Sequence, residues 1–187
     1  MIVCVTGTIA SGKGKGADVI RKLGFEHHSF SLEIRAIARE RDIEINRDNL
    51  SALGRKLREE KPSGSIIGDR VLEKIKKHPD KDYVLDGMRD VGEVEVLKNY
   101  EKETGTRIII IAVNAPQELR WERLKTRKRH GDPETFEAFK EIDDREFEGG
   151  HGQDVGDVMK MADYVVDNSG NLEDFEANMK KIIEKEK

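Results

Sequence analysis

The chain has 187 residues, of which 39% are charged and 36% hydrophobic, and its net charge is −4. This length fits one domain with inserted lobes, and it is enough to bury a sizeable core. The acidic balance argues against nucleic acid as a partner of the whole surface. The single cysteine, Cys4, excludes an intrachain disulfide. No apolar run in the sequence approaches membrane-spanning length, so we expect a cytoplasmic protein.

The N-terminal stretch MIVCVTGTIASGKGKGA combines a short apolar run, a glycine-bounded loop and the start of a helix. Residues 7–14 match G-x-x-x-x-G-K, the P-loop, in the strand-before, helix-after context that this motif needs. Its N–H groups and the helix N-terminus can cradle phosphate, while the Lys13 cation can follow phosphate charge during transfer. The predicted ATP-binding residues are therefore Gly7, Thr8, Ile9, Ala10, Ser11, Gly12, Lys13, Gly14 and Lys15.

Position 14 departs from the usual motif, in which a Ser or Thr hydroxyl ligates Mg²⁺. Gly14 stands there, followed by Lys15. The cation must then be held by water, by phosphates and by an acidic residue elsewhere. Asp86 is the candidate, because it ends the apolar run at 82–87 and an acid at the carboxyl end of a parallel strand points into the ligand crevice.

Extended segments alternate with helical ones along the chain. Strands are predicted at 2–5, 25–30, 82–87, 106–113 and 163–167. Helices are predicted at 13–23, 31–41 (capped by Ser31), from Asn46 or Asp48 to Pro62, and at 66–77, 91–104, 116–124, 134–147, 154–161 and 172–185. The run TRIIIIAV at 106–113 is typical of a strand covered on both faces. The order predicts an α/β, three-layer P-loop fold, with a parallel five-stranded sheet and helices on both faces.

Three motifs together resemble nucleoside monophosphate kinases: SGKG at 11–14, DGMR at 86–89 and the arginine-rich region 120–130. Adenylate kinases also carry G-K-G in the loop, but they follow it with Thr where this chain has Lys15, and their strand end, D-G-F-P-R, is one residue longer. Residues 162–170 are similar to the final strand and turn of dephospho-CoA kinases. The whole pattern resembles small archaeal and bacterial P-loop kinases.

This resemblance implies one kinase domain, 1–187, with an acceptor-binding insertion at about 30–80 and a lid at about 123–152. It implies that Arg35 and Arg89 grip the phosphate of the acceptor, a role that suits the bidentate guanidinium. For Arg35, a surface position on a charged helix is the alternative. On the same side it implies acceptor binding by Asp86 and Gly87, with Asp86 also organising Mg²⁺.

The lid contains arginines that the resemblance would close over the phosphates: Arg123, Arg127, Arg129 and Arg145. Gly131 and Pro133 precede its charged helix and 149–152 follow it, a bracketing that favours movement as a unit. Alternatively, the basic stretch is a solvated helix face. Glu141, Asp143 and Asp144 are the expected partners of some of these arginines while the lid is open. The expected catalytic set is Lys13, Arg89, Arg127, Arg129 and Arg145.

Near the C-terminus, Asn168 and Gly170 match the turn that lies over the adenine ring in the resembled kinases, although they also fit a plain turn. With ATP and Mg²⁺ as cofactors, the chain would move a γ-phosphate to a small phosphorylated acceptor, such as a nucleoside or deoxynucleoside monophosphate. No convincing catalytic His is present, which favours a phosphate acceptor, since a phosphate oxyanion needs no base.

Other functions remain open. The chain could phosphorylate a hydroxyl, as dephospho-CoA kinases do, with an Asp as base. It could be a regulatory ATPase that acts on a protein partner, although the arginines of the lid and acceptor lobe count against this. RNA binding through 120–130 is disfavoured by the acidic remainder and the few aromatics. We expect a monomer or homodimer.

Overall fold

The computed structural model describes residues 1–61, 64–127, 131–148 and 154–187. Within these residues, five strands form one sheet in the order β2-β3-β1-β4-β5, and every pair of neighbours is parallel. The predicted fold class is therefore confirmed. The strands are β1 (Ile2–Thr6), β2 (Glu26–Ser29), β3 (Tyr83–Asp86), β4 (Ile108–Asn114) and β5 (Tyr164–Asp167).

The helices agree with the predicted segments to within a few residues. None of those in the described part of the chain is long and apolar enough to span a membrane. Their bounds are α1 (Lys13–Arg21), α2 (Phe30–Glu40), α3 (Arg47–Glu60), α4 (Ile66–Ile75), α5 (Val91–Thr104), α6 (Gln117–Arg127), α7 (Phe136–Glu148), α8 (Val155–Lys160) and α9 (Leu172–Glu186).

Two helix starts deserve comparison with the sequence. Asn46 caps α3, since its side chain accepts a hydrogen bond from the Asn49 N–H at 2.9 Å. The cap predicted at Ser31 is wrong: Ser29 is the N-cap of α2. Strand β2 runs directly into this helix, so that Ser31 already lies in the first turn, with its hydroxyl 3.1 Å from that of Ser29.

Side chains of the sheet alternate between two cores, as the pleat of a strand requires. Val3 and Val5 of β1 pack with α1 and α9, whereas Ile2 and Cys4 face α2, α3, α4, α5 and α8. Burial on both faces explains why β4 is a continuous branched run instead of an alternating one. Cys4 is fully buried, and this burial raises the pKa of its thiol to about 12.

The parallel register brings the carboxyl ends of the strands to one edge of the sheet. Asp86 pairs with Val5 of β1 on one side and with Ser29 of β2 on the other, so it lies next to the start of the P-loop. Asn114 and Asp167 pair at the other half of this edge. The edge is the ligand crevice expected of an open parallel sheet.

A third apolar cluster joins α6 and α7 to the P-loop. Ile9 of the loop is buried against Leu124 and Phe139, with Trp121 and Phe136 packed alongside. The rings of Trp121 and Phe139 stack with centroids 5.6 Å apart. The base of the predicted lid is therefore packed on the loop that it would cover.

Candidate functional site

The P-loop has a backbone that only glycine can supply at two positions. Gly7 and Gly12 have φ values of 147° and 104°. A Cβ at Gly7 would lie 2.4 Å from the Val113 carbonyl oxygen, and one at Gly12 would lie 2.1 Å from Asn168 Nδ2. The loop thus curls against β4 and the turn after β5, leaving a concave backbone suited to an anion.

Lys13, the first residue of α1, projects its amine back over this loop. Its Nζ donates to the Thr8 carbonyl oxygen at 3.0 Å. Burial first, and then the positive charges of Arg89 and Arg127, lower the pKa of Lys13 to about 7, against the opposing effects of Glu146 and Asp86. Lysine, both arginines and both carboxylates therefore lie close enough to influence one another. An anion in the loop would restore the charged lysine.

Asp86 ends β3 beside the P-loop. Its Oδ1 is buried and accepts no hydrogen bond from the described residues, although His27 Nε2 lies 3.5 Å away. Gly87 continues the chain with φ 83°, and Thr6 Oγ1 donates to the Met88 carbonyl oxygen at 2.8 Å. The end of β1 thus fixes the loop that carries Asp86.

These residues fit Mg²⁺ bound together with nucleotide phosphates. The unpartnered Oδ1 of Asp86 is a suitable acceptor for water on a cation, and a Cβ at Gly14 would meet no atom within 4 Å. No group of three or more His, Cys, Asp or Glu residues that could hold a metal occurs in the described ranges. A Mg²⁺ ion near Asp86 would therefore take most of its ligands from phosphates and water, which is usual for Mg²⁺ in nucleotide sites.

A pocket of about 370 Å³ opens beside the P-loop. Asn168 forms its wall: Nδ2 donates to the Ser11 carbonyl oxygen at 2.8 Å, and Arg123 Nη2 donates to the Asn168 carbonyl oxygen at 2.7 Å. Lys15 also lies on this side, with its Nζ 3.0 Å from Oε1 of Glu176 in α9. The lining residues are Gly12, Lys15, Arg123, Asn168, Gly170 and Leu172.

This pocket brings together the two halves of the predicted nucleotide site, the P-loop and the Asn168–Gly170 turn. It also places Arg123 differently from the expected lid role, since this arginine supports the nucleotide side. Burial lowers the pKa of Arg123, and its Nη1 is buried without a hydrogen-bond partner among the described residues.

Arg89 lies across the crevice, in the loop between β3 and α5. Its Nη1 is 3.0 Å from Glu146 Oε1 of α7. Its backbone N–H donates to Glu93 Oε2 at 2.7 Å, and Glu93 in turn accepts from Arg58 Nη2 of α3 at 3.1 Å. Burial raises the pKa of Glu93, and the charge of Arg58 opposes the shift. A buried acid and an arginine of the predicted acceptor lobe thus hold the backbone of Arg89.

Arg35 is half-buried on α2. Its guanidinium forms no hydrogen bond or ion pair with any residue in the described ranges. No contact there gives it a structural role. Its predicted contact with acceptor phosphate stays a prediction.

The lid helices are tied to the P-loop by a buried arginine. Arg120 of α6 forms a bidentate pair with Asp143 of α7 and donates to the Ile9 carbonyl oxygen at 3.0 Å. Gln117 Nε2 joins the same carboxylate at 2.8 Å. Asp143 therefore does partner an arginine of the basic stretch, but as an interior link and not on a solvated face.

The predicted lid arginines occupy different places. Arg127 ends α6 and donates to Asp132 at 2.8 and 2.7 Å, and its charge reaches Lys13. Arg145 is exposed on α7. Arg129 and the glycine-rich return at 149–152 lie outside the described residues.

Sequence reasoning missed Arg58, Glu93, Arg120 and Glu146. One signal was available for Arg58: Gly54 lies in the middle of α3, where glycine weakens a helix. A Cβ there would be 3.1 Å from Arg58 Nη1, so the glycine makes room for a guanidinium folded back over its own helix. The other pairings join distant parts of the chain and leave no local trace.

Comparisons with known proteins identify the family and the fold. A family model described as "AAA domain" matches residues 6–140. The chain is 36% identical to a UPF0200 protein of Thermococcus kodakarensis over 186 residues, covering 98% of this chain and 97% of that protein. Related folds include the shikimate kinase of Aquifex aeolicus (TM-score 0.54, 15% identity, 100% and 98% of the two chains) and the dephospho-CoA kinase of Campylobacter jejuni (TM-score 0.54, 19% identity, 98% and 96%).

At these identities the two solved kinases establish the fold alone. The match to the family model and the full-length match to the Thermococcus protein go further. The chain belongs to the UPF0200 family and carries an AAA-type P-loop domain with the fold of small kinases.

Proposed function

We propose that the protein is an ATP-dependent phosphotransferase whose acceptor is a small phosphorylated compound, a nucleoside or deoxynucleoside monophosphate. The observation that carries this proposal is the gathering of three cations at the P-loop. Lys13 lies over the loop, with Nζ 3.0 Å from the Thr8 carbonyl oxygen. The charges of Arg89 and Arg127 act on it and, after burial, lower its pKa. The three cations come from the P-loop helix, the loop after β3 and the end of α6. Such a cluster is unfavourable by itself and becomes favourable around transferring phosphate.

The positions of these groups support a role for each of them. The P-loop backbone holds the donor phosphates, and Lys13 and Arg127 balance the charge that develops on the transferred group. Asp86 would hold the water shell of a Mg²⁺ ion, which would supply charge neutralisation for the phosphates when it is bound. Arg89 and Arg35 hold the phosphate of the acceptor. This phosphate is already a nucleophile, so the site needs no base.

A second acceptor class has one observation in its favour. Asp86 Oδ1 is buried without a hydrogen bond from the described residues, and a carboxylate in that state could take the proton of a hydroxyl. That would make the enzyme a kinase of the dephospho-CoA type. Against it, the segment that follows Asp86 lies near hydroxyl-bearing residues, Ser29 at the end of β2 and Ser31 in the first turn of α2, which add no second carboxylate.

An assay of ADP release separates these functions. Purified protein with ATP and Mg²⁺ is tested against all ribo- and deoxynucleoside monophosphates, dephospho-CoA, and water alone. We expect turnover with one or a few monophosphates. Turnover with dephospho-CoA alone would select the hydroxyl reaction, and slow hydrolysis indifferent to every acceptor would select a regulatory ATPase that acts on a protein partner. Lys13→Ala should abolish the signal, whereas the matched control Lys22→Ala, at an exposed lysine just after α1, should keep it.

A further inference from the structure

Glu146 is an acid in a place where the proposed function needs an anion to bind. It lies on the face of α7 that also carries Phe139 and Asp143, both buried against α6 and the P-loop. Its side chain is only 13% exposed, and Oε1 is 3.0 Å from Arg89 Nη1. It is also one of the charges that act on Lys13. The carboxylate therefore lies beside Arg89 and near enough to Lys13 for its charge to act on the lysine.

The two arginine–carboxylate pairs of α7 differ in strength. Asp143 receives two guanidinium hydrogen bonds from Arg120, and Gln117 adds another. Glu146 meets Arg89 through one oxygen, while its Oε2 is buried with no hydrogen-bond partner among the described residues. A buried acceptor without a hydrogen bond is costly. The Glu146 pair is therefore the one that a better anion can replace.

A phosphate dianion is a better anion for this arginine. It carries twice the charge of a carboxylate, and its oxygens suit the bidentate guanidinium fork. We propose that Glu146 occupies the phosphate-binding side of Arg89, so that the phosphate of the acceptor binds by displacing the Glu146 carboxylate. This rests on the proposed function in that it takes Arg89 as the acceptor arginine, and it makes Glu146 a determinant of acceptor affinity.

Displacement of Glu146 would leave the contacts at the base of α7 in place. Asp143 is one helical turn before Glu146 and stays paired with Arg120, which in turn holds the Ile9 carbonyl oxygen. The base of α7 is thus fixed while the carboxylate one turn later is released. Displacement then needs only a rotation of the Glu146 side chain or a small shift at the end of α7.

Phosphate binding tests the inference without requiring turnover. The P-loop is first filled with a non-hydrolysable ATP analogue and Mg²⁺, and inorganic phosphate is then titrated by calorimetry. Glu146→Gln keeps the shape but removes the competing charge, so we expect about tenfold tighter phosphate binding, the size of effect typical of one charge-assisted hydrogen bond. The matched control, Glu148→Gln, changes an exposed acid on the same helix and should leave affinity unchanged.

Two further variants make the result decisive. Adding Arg89→Ala to Glu146→Gln should remove the gain, as a coupled pair requires. Glu146→Asp withdraws the carboxylate by one methylene and should give a smaller gain, which keeps the test available if the glutamine variant does not fold. Equal or weaker phosphate binding in folded Glu146 variants would overturn the proposal. So would a gain that survives the loss of Arg89, or an equal gain in Glu148→Gln. If phosphate binds as expected but no acceptor is phosphorylated, the proposed function fails and the role of Glu146 stands.

Discussion

The two sides of the crevice are built differently. On the side of the P-loop, side chains hold the backbone: Asn168 holds the Ser11 carbonyl oxygen, Arg123 holds that of Asn168, and Arg120 holds that of Ile9. The buried side-chain atoms without a hydrogen-bond partner among the described residues are potential donors there: the hydroxyls of Thr8 and Ser11 and Nη1 of Arg123. On the acceptor side, Asp86 Oδ1 and Glu146 Oε2 are buried without hydrogen bonds from the described residues.

This difference indicates how the work is divided between the two sides. A preorganised donor side can bind the same phosphates at every turnover without reorganisation. Both sides leave buried polar atoms unsatisfied, but the atoms are of opposite kinds. Hydroxyl and guanidinium groups on the P-loop side can donate to phosphate, whereas the carboxylate oxygens on the other side can only accept. The following substitutions and measurements each test one side of the crevice, from the largest expected effect to the smallest.

The largest effect should follow from removing the P-loop cation. Lys13→Ala should leave the fold intact, because the single hydrogen bond of its amine to the described residues goes to a loop carbonyl oxygen. It should lower phosphotransfer by about 10³-fold or more, the scale of a cation that stabilises the transferring group. Circular dichroism and ADP-release kinetics measure the two quantities. Unchanged turnover in a folded variant would contradict the P-loop mechanism.

The second largest effect should follow from Arg120→Ala, which should lower the stability of the protein by loosening α6 and α7 from the P-loop. It leaves Asp143 as a buried acid whose described partner is the neutral amide of Gln117, and it removes the arginine that donates to the Ile9 carbonyl oxygen. Breaking a buried pair in this way costs about 3–5 kcal/mol of unfolding free energy, to be measured by urea denaturation. Lys125→Ala, at an exposed residue on the same helix, is the control and should change stability by less than about 0.5 kcal/mol. A loss no larger than in this control would show that α6 and α7 do not depend on the pair.

The lid arginines should affect the chemical step. At least one of Arg127→Ala, Arg129→Ala and Arg145→Ala should lower kcat about a hundredfold or more with nucleotide binding nearly retained, because interactions made only in the transition state act on kcat. Arg127 is the first choice, since its charge reaches Lys13, whereas Arg145 is exposed. If all three variants keep kcat within about threefold, the lid assignment is wrong.

On the acceptor side, Arg89→Ala should raise the KM for the acceptor about 10- to 100-fold and change the KM for ATP much less, because a charge-assisted contact contributes about 1.5–3 kcal/mol. Arg39→Ala, at an exposed arginine of α2, is the matched control. A loss confined to ATP affinity would move Arg89 to the donor side.

The smallest expected effect is the uptake of about one proton by Lys13 when ATP binds. The pKa of Lys13 is about 7 in the folded chain and about 10.4 in an unfolded one. Between these values the unfolded chain binds more protons, so this lysine destabilises the fold less as pH rises from about 7 to about 10. Phosphate in the P-loop should raise the pKa again, and ATP binding at about pH 8.5 should take up close to one proton. Calorimetry in buffers of different ionisation enthalpy measures this proton uptake. The Lys13→Ala variant should take up no proton from this source.

Much of the fold was predictable because its signals are local. The glycine spacing at 7–14, the apolar strand at 106–113 and the alternation of strands with helices each lie within a short window. The exception at Ser31 is also local in origin: β2 passes into α2 without a linker, so the cap lies two residues earlier, at Ser29. The pairings of Arg58 and Arg120 join different helices. The sequence named Asp143 as a partner of the basic stretch, but it gave no signal that the pair with Arg120 is buried, and none for the pair of Arg58 with Glu93.

The sequence by itself determined the P-loop, the class of the fold and the presence of Asp86 and Arg89 at a strand end, because glycine geometry and the periods of helix and strand are properties of neighbouring residues. Only the tertiary structure decided what each arginine does. Arg120, Arg123 and Arg127 form one stripe along α6, yet they meet Asp143, the Asn168 turn and the surroundings of Lys13. Each residue advances 1.5 Å along a helix, so identical side chains a few residues apart reach different neighbours, and those neighbours are supplied by distant segments of the chain.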